Sequence, residues 1–460
     1  MQKSHHLLMN KPVNVVFFKY FFPSLLGLML MSINILIDGI FVGNGVGSTA
    51  LASVNLAVPV FSMIISISLW IGIGGGTVYS MHLGEGNKVQ ARSVFSLAFF
   101  TTLFLLVLIG GVGVWNVEFI SKILGANDDT LPFVVDYLSI MFLFGGIMGL
   151  QNMLSIFIRN DGNPRLSMIA LAVSALSNIG LNYYMIFILH LGVKGAAIAT
   201  IIGESLGLFV LLIHFISPHS TLRTLSFKWT WRKLSSIFSI GFPSFLAEMG
   251  ALVLIAGYNL SVVYLLGTDG VAAFSVINYL HGFMFLAFFG IESTLQPMIS
   301  YYYGAGETNR IIKSVQVGEK AAFALGATLF TIGMLAAPML TSLFGLESEE
   351  IKSIAVQGIR LFFIAYLFMG LNFIYMTYFQ SIGAIRSSIW IVILRSFVFL
   401  LAFLLILPQF FGIVGVWLAL PLSEFFVALL LFFFARKQVM DPFAHKQMKI
   451  SHKKTKGAGA

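Results

Sequence analysis

Seven ionisable side chains stand well inside apolar stretches of this chain: Asp38, Glu204, Glu248, Glu292 and Glu424, with Arg360 and Arg395. A charge at mid-membrane costs at least about 2.5–3.5 kcal/mol on insertion scales, so each needs a partner, a watery cavity or a function. The sharpest cluster is in the first half. Asn34 and Asp38 are four apart, as are Asn178 and Asn182, and Thr200 and Glu204. Residues at i and i+4 share a helix face. Asp38, Asn182 and Thr200 each lie about 8–11 Å from the same end of their apolar runs, at 1.5 Å per residue. A carboxylate, two amide oxygens and a hydroxyl at one depth are hard oxygen ligands for a small cation such as Na+, or a polar setting for an acid that exchanges protons. Hydrogen bonds that only join helices are the plain alternative for the amides and the hydroxyl. The carboxylate of Asp38 favours an ion site. The expected cation-coupling set is therefore Asp38, Asn178, Asn182, Thr200 and Glu204.

The second half carries a different set. Glu248 precedes Tyr258 and Asn259, and Glu292 shares a helix face with Gln296. Together with Asn34 these are expected to line a substrate cavity, where carboxylates attract organic cations. Acids that stay neutral inside the bilayer are the other reading. Arg395 and Glu424 lie at similar depth on neighbouring apolar runs, which predicts a structural ion pair. The position equivalent to Arg395 in the first half is near Ser174, so Glu204 has no obvious arginine.

These residues are positioned by twelve runs that each need about 20 apolar residues to cross the hydrocarbon. The spans expected are 14–43, 52–80, 92–114, 131–158, 166–189, 194–217, 234–264, 271–302, 318–344, 353–381, 387–408 and 411–435. All must be helical, because a lipid-exposed strand leaves backbone groups unpaired. The chain also repeats itself after about 220 residues: Phe22-Pro23 returns as Phe242-Pro243, Gly84-Glu85-Gly86 as Gly304-Ala305-Gly306, and Gly192 and Gly195 as Gly412 and Gly415. The fold class is thus an all-α polytopic membrane protein with two six-helix lobes. An even number of spans per copy relates the lobes by a pseudo-two-fold axis along the membrane normal. The expected organisation is a tail (1–13), an N-lobe (14–217), a polar linker (218–233), a C-lobe (234–435) and a basic tail (436–460).

Composition agrees with lipid as solvent: 58% of residues are hydrophobic and 10% charged, with 46 Phe and 44 Gly. There is no Cys, so disulfide, zinc-thiolate and redox chemistry are excluded. The net charge of +9 is not a nucleic-acid signature, because it is set out by topology. Loops after even-numbered spans carry Lys88, Arg92, Arg159, Arg165, Arg223, Lys228, Arg232, Lys233, Arg310, Lys313, Lys320 and Arg386. Loops after odd-numbered spans carry Lys122, Lys194 and Lys352. The positive-inside rule then puts both termini in the cytoplasm. The basic tail from Lys446 to Lys456 sets topology, with binding of anionic lipid as a second reading. No GxxxxGK[ST] phosphate loop or nucleotide fingerprint occurs, so neither an ATP-driven pump nor another enzyme is expected, and no cofactor.

Several strings occur in order: Ile37-Asp38-Gly39-Ile40-Phe41-Val42-Gly43, Leu83-Gly84-Glu85-Gly86-Asn87, Ile158-Arg159-Asn160-Asp161-Gly162-Asn163-Pro164, Gly195-Ala196-Ala197-Ile198-Ala199-Thr200, Gly241-Phe242-Pro243-Ser244-Phe245 and Gly415-Val416-Trp417. On these the chain resembles the multidrug and toxic compound extrusion (MATE) family, in its bacterial DinF-like and multidrug-exporter branch, over about residues 14–436. The resemblance implies antiport: Na+ or H+ enters while an organic, cationic amphipathic compound leaves, with no nucleic acid or obligate protein partner. It also implies an N-lobe cation site at Asp38, Asn178, Asn182 and Thr200. One position departs, since the family's Leu-Asp stands here as Leu181-Asn182. Two other readings remain open. One is a lipid-linked oligosaccharide flippase of the same superfamily, which favours a basic cavity. The other is a channel or non-transporting scaffold.

Overall fold

The structure is a computed structural model that describes residues 8–218, 220–226, 229–344 and 348–440. Among these residues there is no strand. Spans 1 to 3 are α1 (Val13–Gly45), α2 (Ser48–Gly84) and α3 (Lys88–Trp115), followed by a short helix, α4 (Val117–Ile123). Span 4 is a pair, α5 (Leu131–Phe144) and α6 (Gly146–Asn160), bent by 49°. Span 5 is α7 (Pro164–Tyr183) with a π turn at Tyr184–Ile188, and span 6 is α8 (Gly192–Ile216). The run α9 (Trp231–Ala305) holds spans 7 and 8, separated at Gly267 (φ 59, ψ −138). Span 9 is α10 (Thr308–Ser342); span 10 is α11 (Glu349–Phe362) and α12 (Tyr366–Ser381) joined by one 3-10 turn. Span 11 begins as α13 (Ile385–Ile393), passes through a π turn at Leu394–Phe399 and enters α14 (Leu400–Met440). Gly412 (φ 55, ψ −134) breaks α14, and span 12 follows. Read through these breaks, the described residues make the twelve apolar passes expected from sequence.

The helices outrun their apolar segments. Span 9 is expected from residue 318 but begins at Thr308. Backbone hydrogen bonding continues past the edge of the hydrocarbon, so the extra turns carry Arg310 and Lys313.

The duplication reaches the backbone. Four pairs of glycines at matched positions take positive φ: Gly47 and Gly267, Gly86 and Gly306, Gly162 and Gly383, Gly192 and Gly412. Their hydrogen bonds match too. Asn87 N donates to His82 O at 2.8 Å and Glu307 N to Tyr302 O at 2.9 Å; Asn163 N donates to Ile158 O at 3.0 Å and Ala384 N to Phe379 O at 2.8 Å. Gly86, Gly306, Gly162 and Gly383 thus stand at matched helix stops, and at all eight glycines the positive φ would strain a side chain.

The chain forms two compact units. Of the described residues, the first holds 8–11, 18–83 and 87–248, and the second 12–17, 84–86 and 249–440. The boundary thus lies inside span 7. In the first unit the start of α9 is tied to α2: Trp70 Nε1 donates to Phe238 O at 2.7 Å, and its ring meets those of Phe238, Phe242 and Phe245. A Cβ on Gly74 would lie on the backbone of Ile237 and Gly241, so small residues permit this approach.

Asp161 organises the other end of the first unit. Its carboxylate accepts from Tyr79 Oη at 2.8 Å, Ser220 Oγ at 3.2 Å and Thr221 N at 2.9 Å, and lies 2.8 Å from His214 Nε2. Arg92 Nε donates to Thr221 O at 3.1 Å, and Ser226 N to Ser96 Oγ at 2.9 Å. The described part of the segment after span 6 is therefore fastened to spans 2, 3 and 4. Lys228 and the tail from residue 441 onward lie outside the described residues, while 436–440 continue the last helix.

Three lysines follow odd-numbered spans, and each has a carboxylate beside it. Lys122 pairs with Glu118 at 2.7 Å, Lys194 with Asp136 at 3.1 Å and Lys352 with Glu349 at 2.6 Å. The hydrogen bond from Lys122 holds Glu118 below the usual carboxylate range.

Candidate cation and substrate sites

Close approach of spans 5 and 6 builds the first site. Gly203 makes it possible: a Cβ there would lie 2.9 Å from Ser174 O and 3.0 Å from Asn178 Cβ. Asn178 then reaches across, and its Nδ2 donates to Thr200 Oγ1 at 3.1 Å. Asn182, one turn further on, donates from one Nδ2 to Asn178 Oδ1 at 2.9 Å and to Asp38 Oδ1 at 2.6 Å. Asn34 Nδ2 donates to the other oxygen, Asp38 Oδ2, at 3.2 Å. Asn178 and Asn182 are buried, while Asp38 and Thr200 are half-buried. Apolar packing that includes Val42, Ile186, Val193, Ala197 and Ile201 belongs to the same core.

Four expected coupling residues, Asp38, Asn178, Asn182 and Thr200, thus form one hydrogen-bonded line. Asn34, expected on the substrate side, joins them. Glu204 is half-buried and within electrostatic reach of Asp38, with no hydrogen bond joining the two among the described residues. Tyr137, which sequence reasoning missed, also feels the Asp38 charge.

The line has loose ends. Asn34 Oδ1 and Asn182 Oδ1 are buried acceptors without a hydrogen-bond donor. A buried carbonyl oxygen left unpaired costs roughly 1–3 kcal/mol. An amide turned over about its Cβ–Cγ bond presents oxygen instead of N–H. The same residues can therefore offer donors to an ionised Asp38 or oxygens to a cation beside it.

In the second unit the repeat-equivalent place is filled differently. Arg395 Nε lies 2.9 Å from Glu424 Oε1, and Asn372 Nδ2 donates to Glu424 Oε2 at 2.6 Å. The guanidinium stands 4.4 Å over the Phe373 ring. The counterpart in the first unit is neutral: Gln151 Nε2 donates to Ser174 Oγ at 2.8 Å, and Ser174 Oγ donates to Gly203 O at 3.0 Å. Gln151 and Asn372 are matched, as are Ser174 and Arg395.

The expected substrate-side residues divide. Glu248 and Asn259 are half-buried. Glu292 and Gln296 are 3% and 5% exposed, within helix packing. Tyr258 corrects the expectation that it lines a cavity. It is 0% exposed, its ring is stacked on Phe274 and Trp417, and its Oη accepts from Leu420 N at 3.0 Å. Its hydroxyl serves the backbone of span 12, so the polar tip that suggested a cavity is consumed inside the core.

The MatE family model matches residues 23–184 and 243–407, once in each copy of the repeat. The multidrug export protein MepA of Staphylococcus haemolyticus is 28% identical over 415 residues, covering 89% of this chain and 90% of that protein. MepA of Staphylococcus aureus strain MSSA476 is 27% identical over 426 residues, covering 91% and 92%. Among solved structures, an outward-facing multidrug resistance MATE family transporter of the MOP superfamily shares the fold, with a TM-score of 0.91 and 23% identity over 96% of this chain and 99% of that one. A MOP superfamily transporter from Pyrococcus furiosus, described as having a binding pocket of reverse polarity, shares it with a TM-score of 0.90 and 22% identity over the same shares. With a family match over both halves and a shared twelve-helix fold, the chain belongs to the MatE family, whose members are membrane transporters and not enzymes.

Proposed function

We propose that this protein is a secondary active multidrug exporter that moves organic, cationic amphipathic compounds out of a bacterial cell in exchange for inward H+ or Na+. The MepA relatives are named as multidrug export proteins, which supports the substrate class. The observation that carries the coupling is the line at Asp38: one carboxylate, three amides and a hydroxyl, with two amide oxygens unfilled.

With Asp38 ionised, the N–H groups of Asn34 and Asn182 face it. A proton on Asp38 removes the charge that orients them. A sodium ion recruits Asp38, Asn178, Asn182 and Thr200 as oxygen ligands, with Asn34 and Asn182 turned over. Either event rebuilds the contact between span 1 and spans 5 and 6. That is the differential interaction a coupling ion needs to shift a two-state transporter. Glu248, half-buried in the first unit, is assigned to the substrate path, where its charge attracts cations.

The orientation with both termini in the cytoplasm is supported by the scarcity of lysine and arginine after odd-numbered spans: Lys122, Lys194 and Lys352. These three stand against twelve lysines and arginines after even-numbered spans, and it is this count that the positive-inside rule reads.

Proteoliposomes loaded with cationic dye, under separate Na+ and H+ gradients, test the reading. Dye movement driven by one gradient and lost in Asp38→Asn is expected. Dissipative flux without coupling identifies a channel instead. Transport of a lipid-linked oligosaccharide without dye transport identifies a flippase.

A further inference from the structure

The function proposed above leaves one feature unused. In the second unit, at the start of α10, a recess of about 460 Å³ is lined by Arg310, Lys313 and Lys320, with Glu307 as its one carboxylate and Val13 and Val317 as apolar wall. Arg310, Lys313, Val317 and Lys320 follow the spacing of one helix face. Arg310 is held over the Tyr302 ring at 5.6 Å. Lys313 and Lys320 are exposed, and no carboxylate pairs with either among the described residues. Glu319, on the same helix, accepts from Tyr375 Oη at 3.0 Å.

The repeat provides an internal control. Positions 310, 313, 317 and 320 correspond to Gln90, Ser93, Leu97 and Phe100 of α3. That helix sits at the same place in the topology and bears no cation of its own on this face, where a single lysine from another helix, Lys233, donates its Nζ to Ser93 Oγ at 2.9 Å. Its Arg92 is turned to Thr221 O.

We infer that this recess holds the phosphodiester headgroup of an anionic phospholipid of the inner leaflet. The cations span ten residues, about 15 Å at 1.5 Å per residue, from the wet end of the helix to the onset of its apolar run. A free phosphate is compact and needs its donors converged on one point. A lipid is elongated, with charge at one end and hydrocarbon at the other, and its polar end tracks a basic stripe beside Val13 and Val317. Basic pockets at this level of a membrane protein are suited to such headgroups. The leaflet rests on the orientation proposed above; the binding itself does not, because it is measured on purified protein.

Native mass spectrometry of the full chain in detergent, titrated with phosphatidylglycerol or phosphatidylcholine, tests the inference. Phosphatidylglycerol is expected to be retained on the order of tenfold better, with Lys313→Gln/Lys320→Gln removing most of the difference. Lys313→Arg/Lys320→Arg keeps the preference, which separates charge from damage to the helix. Lys122→Gln/Lys194→Gln, at lysines already paired, keeps it as well. Arg310→Gln weakens it independently. Equal retention of the two lipids overturns the inference. So does an unchanged preference in the double Gln variant, or displacement of the lipid by inorganic phosphate, which makes the recess a soluble-anion site.

Discussion

Asn182 Nδ2 lies 2.6 Å from Asp38 Oδ1, so an amide donates to the carboxylate where the MATE pattern has a second carboxylate. Two carboxylates at that distance require a shared proton or a cation between them. An amide and a carboxylate do not. The site of this chain is therefore satisfied with one fewer positive charge, and Asp38 becomes its sole formal charge along the hydrogen-bonded line.

Asp38→Asn is expected to abolish gradient-driven export while the protein stays folded in the membrane. The isosteric amide keeps the packing of span 1 and removes the charge. Dye efflux from vesicles, with thermal unfolding as a folding control, checks this; full efflux sinks the ion site.

Glu204 is within reach of the Asp38 charge, and two interacting acids titrate as a linked pair. Glu204→Gln is expected to flatten the pH dependence of transport. Adding Asn182→Asp returns a second carboxylate and restores much of it. Initial rates measured across pH in the two variants decide the matter, and an unchanged profile in the single variant removes Glu204 from coupling.

Glu248→Gln is expected to slow export of cationic dyes more than that of neutral ones, because only the former gain from the lost charge. Equal slowing of both gives Glu248 a structural role.

Glu424→Gln or Arg395→Met alone leaves one charge buried without its partner. Such changes typically destabilise by about 3–5 kcal/mol, whereas replacing both members is often near neutral. The single variants should unfold well below wild type and the double Arg395→Met/Glu424→Gln should recover. A double variant no better than either single one means that Asn372 and the Phe373 ring, not the pair, hold this place.

What was legible in the sequence follows from local spacing. Asn178 with Asn182, and Thr200 with Glu204, declare their shared faces four residues apart, so the line at Asp38 could be assembled from one strand of text. Arg395 and Glu424 are legible through their similar depth on neighbouring apolar runs. The pairing of Asp161 with His214 joins positions far apart in sequence, and neither residue carries a periodic signal. Tyr258 misled because a hydroxyl looks alike whether it faces a cavity or a backbone N–H. Span 9 starts earlier than expected because hydropathy marks where lipid begins, while helix geometry continues beyond it.

The three paired lysines have a consequence for how the polypeptide is threaded during biosynthesis. Moving one elementary charge through the membrane potential is worth about 2.3 kcal/mol per 100 mV, and an inside-negative potential pulls lysine back. Lys122 beside Glu118, and Lys352 beside Glu349, each lie within a single turn or so of chain. The tip after span 3 also carries Asp128 and Asp129, and the tip after span 9 also carries Glu347 and Glu350, so each lysine travels within a segment whose carboxylates outnumber it. On the orientation proposed here, an inside-negative resting voltage therefore assists the outward passage of both hairpin tips instead of opposing it.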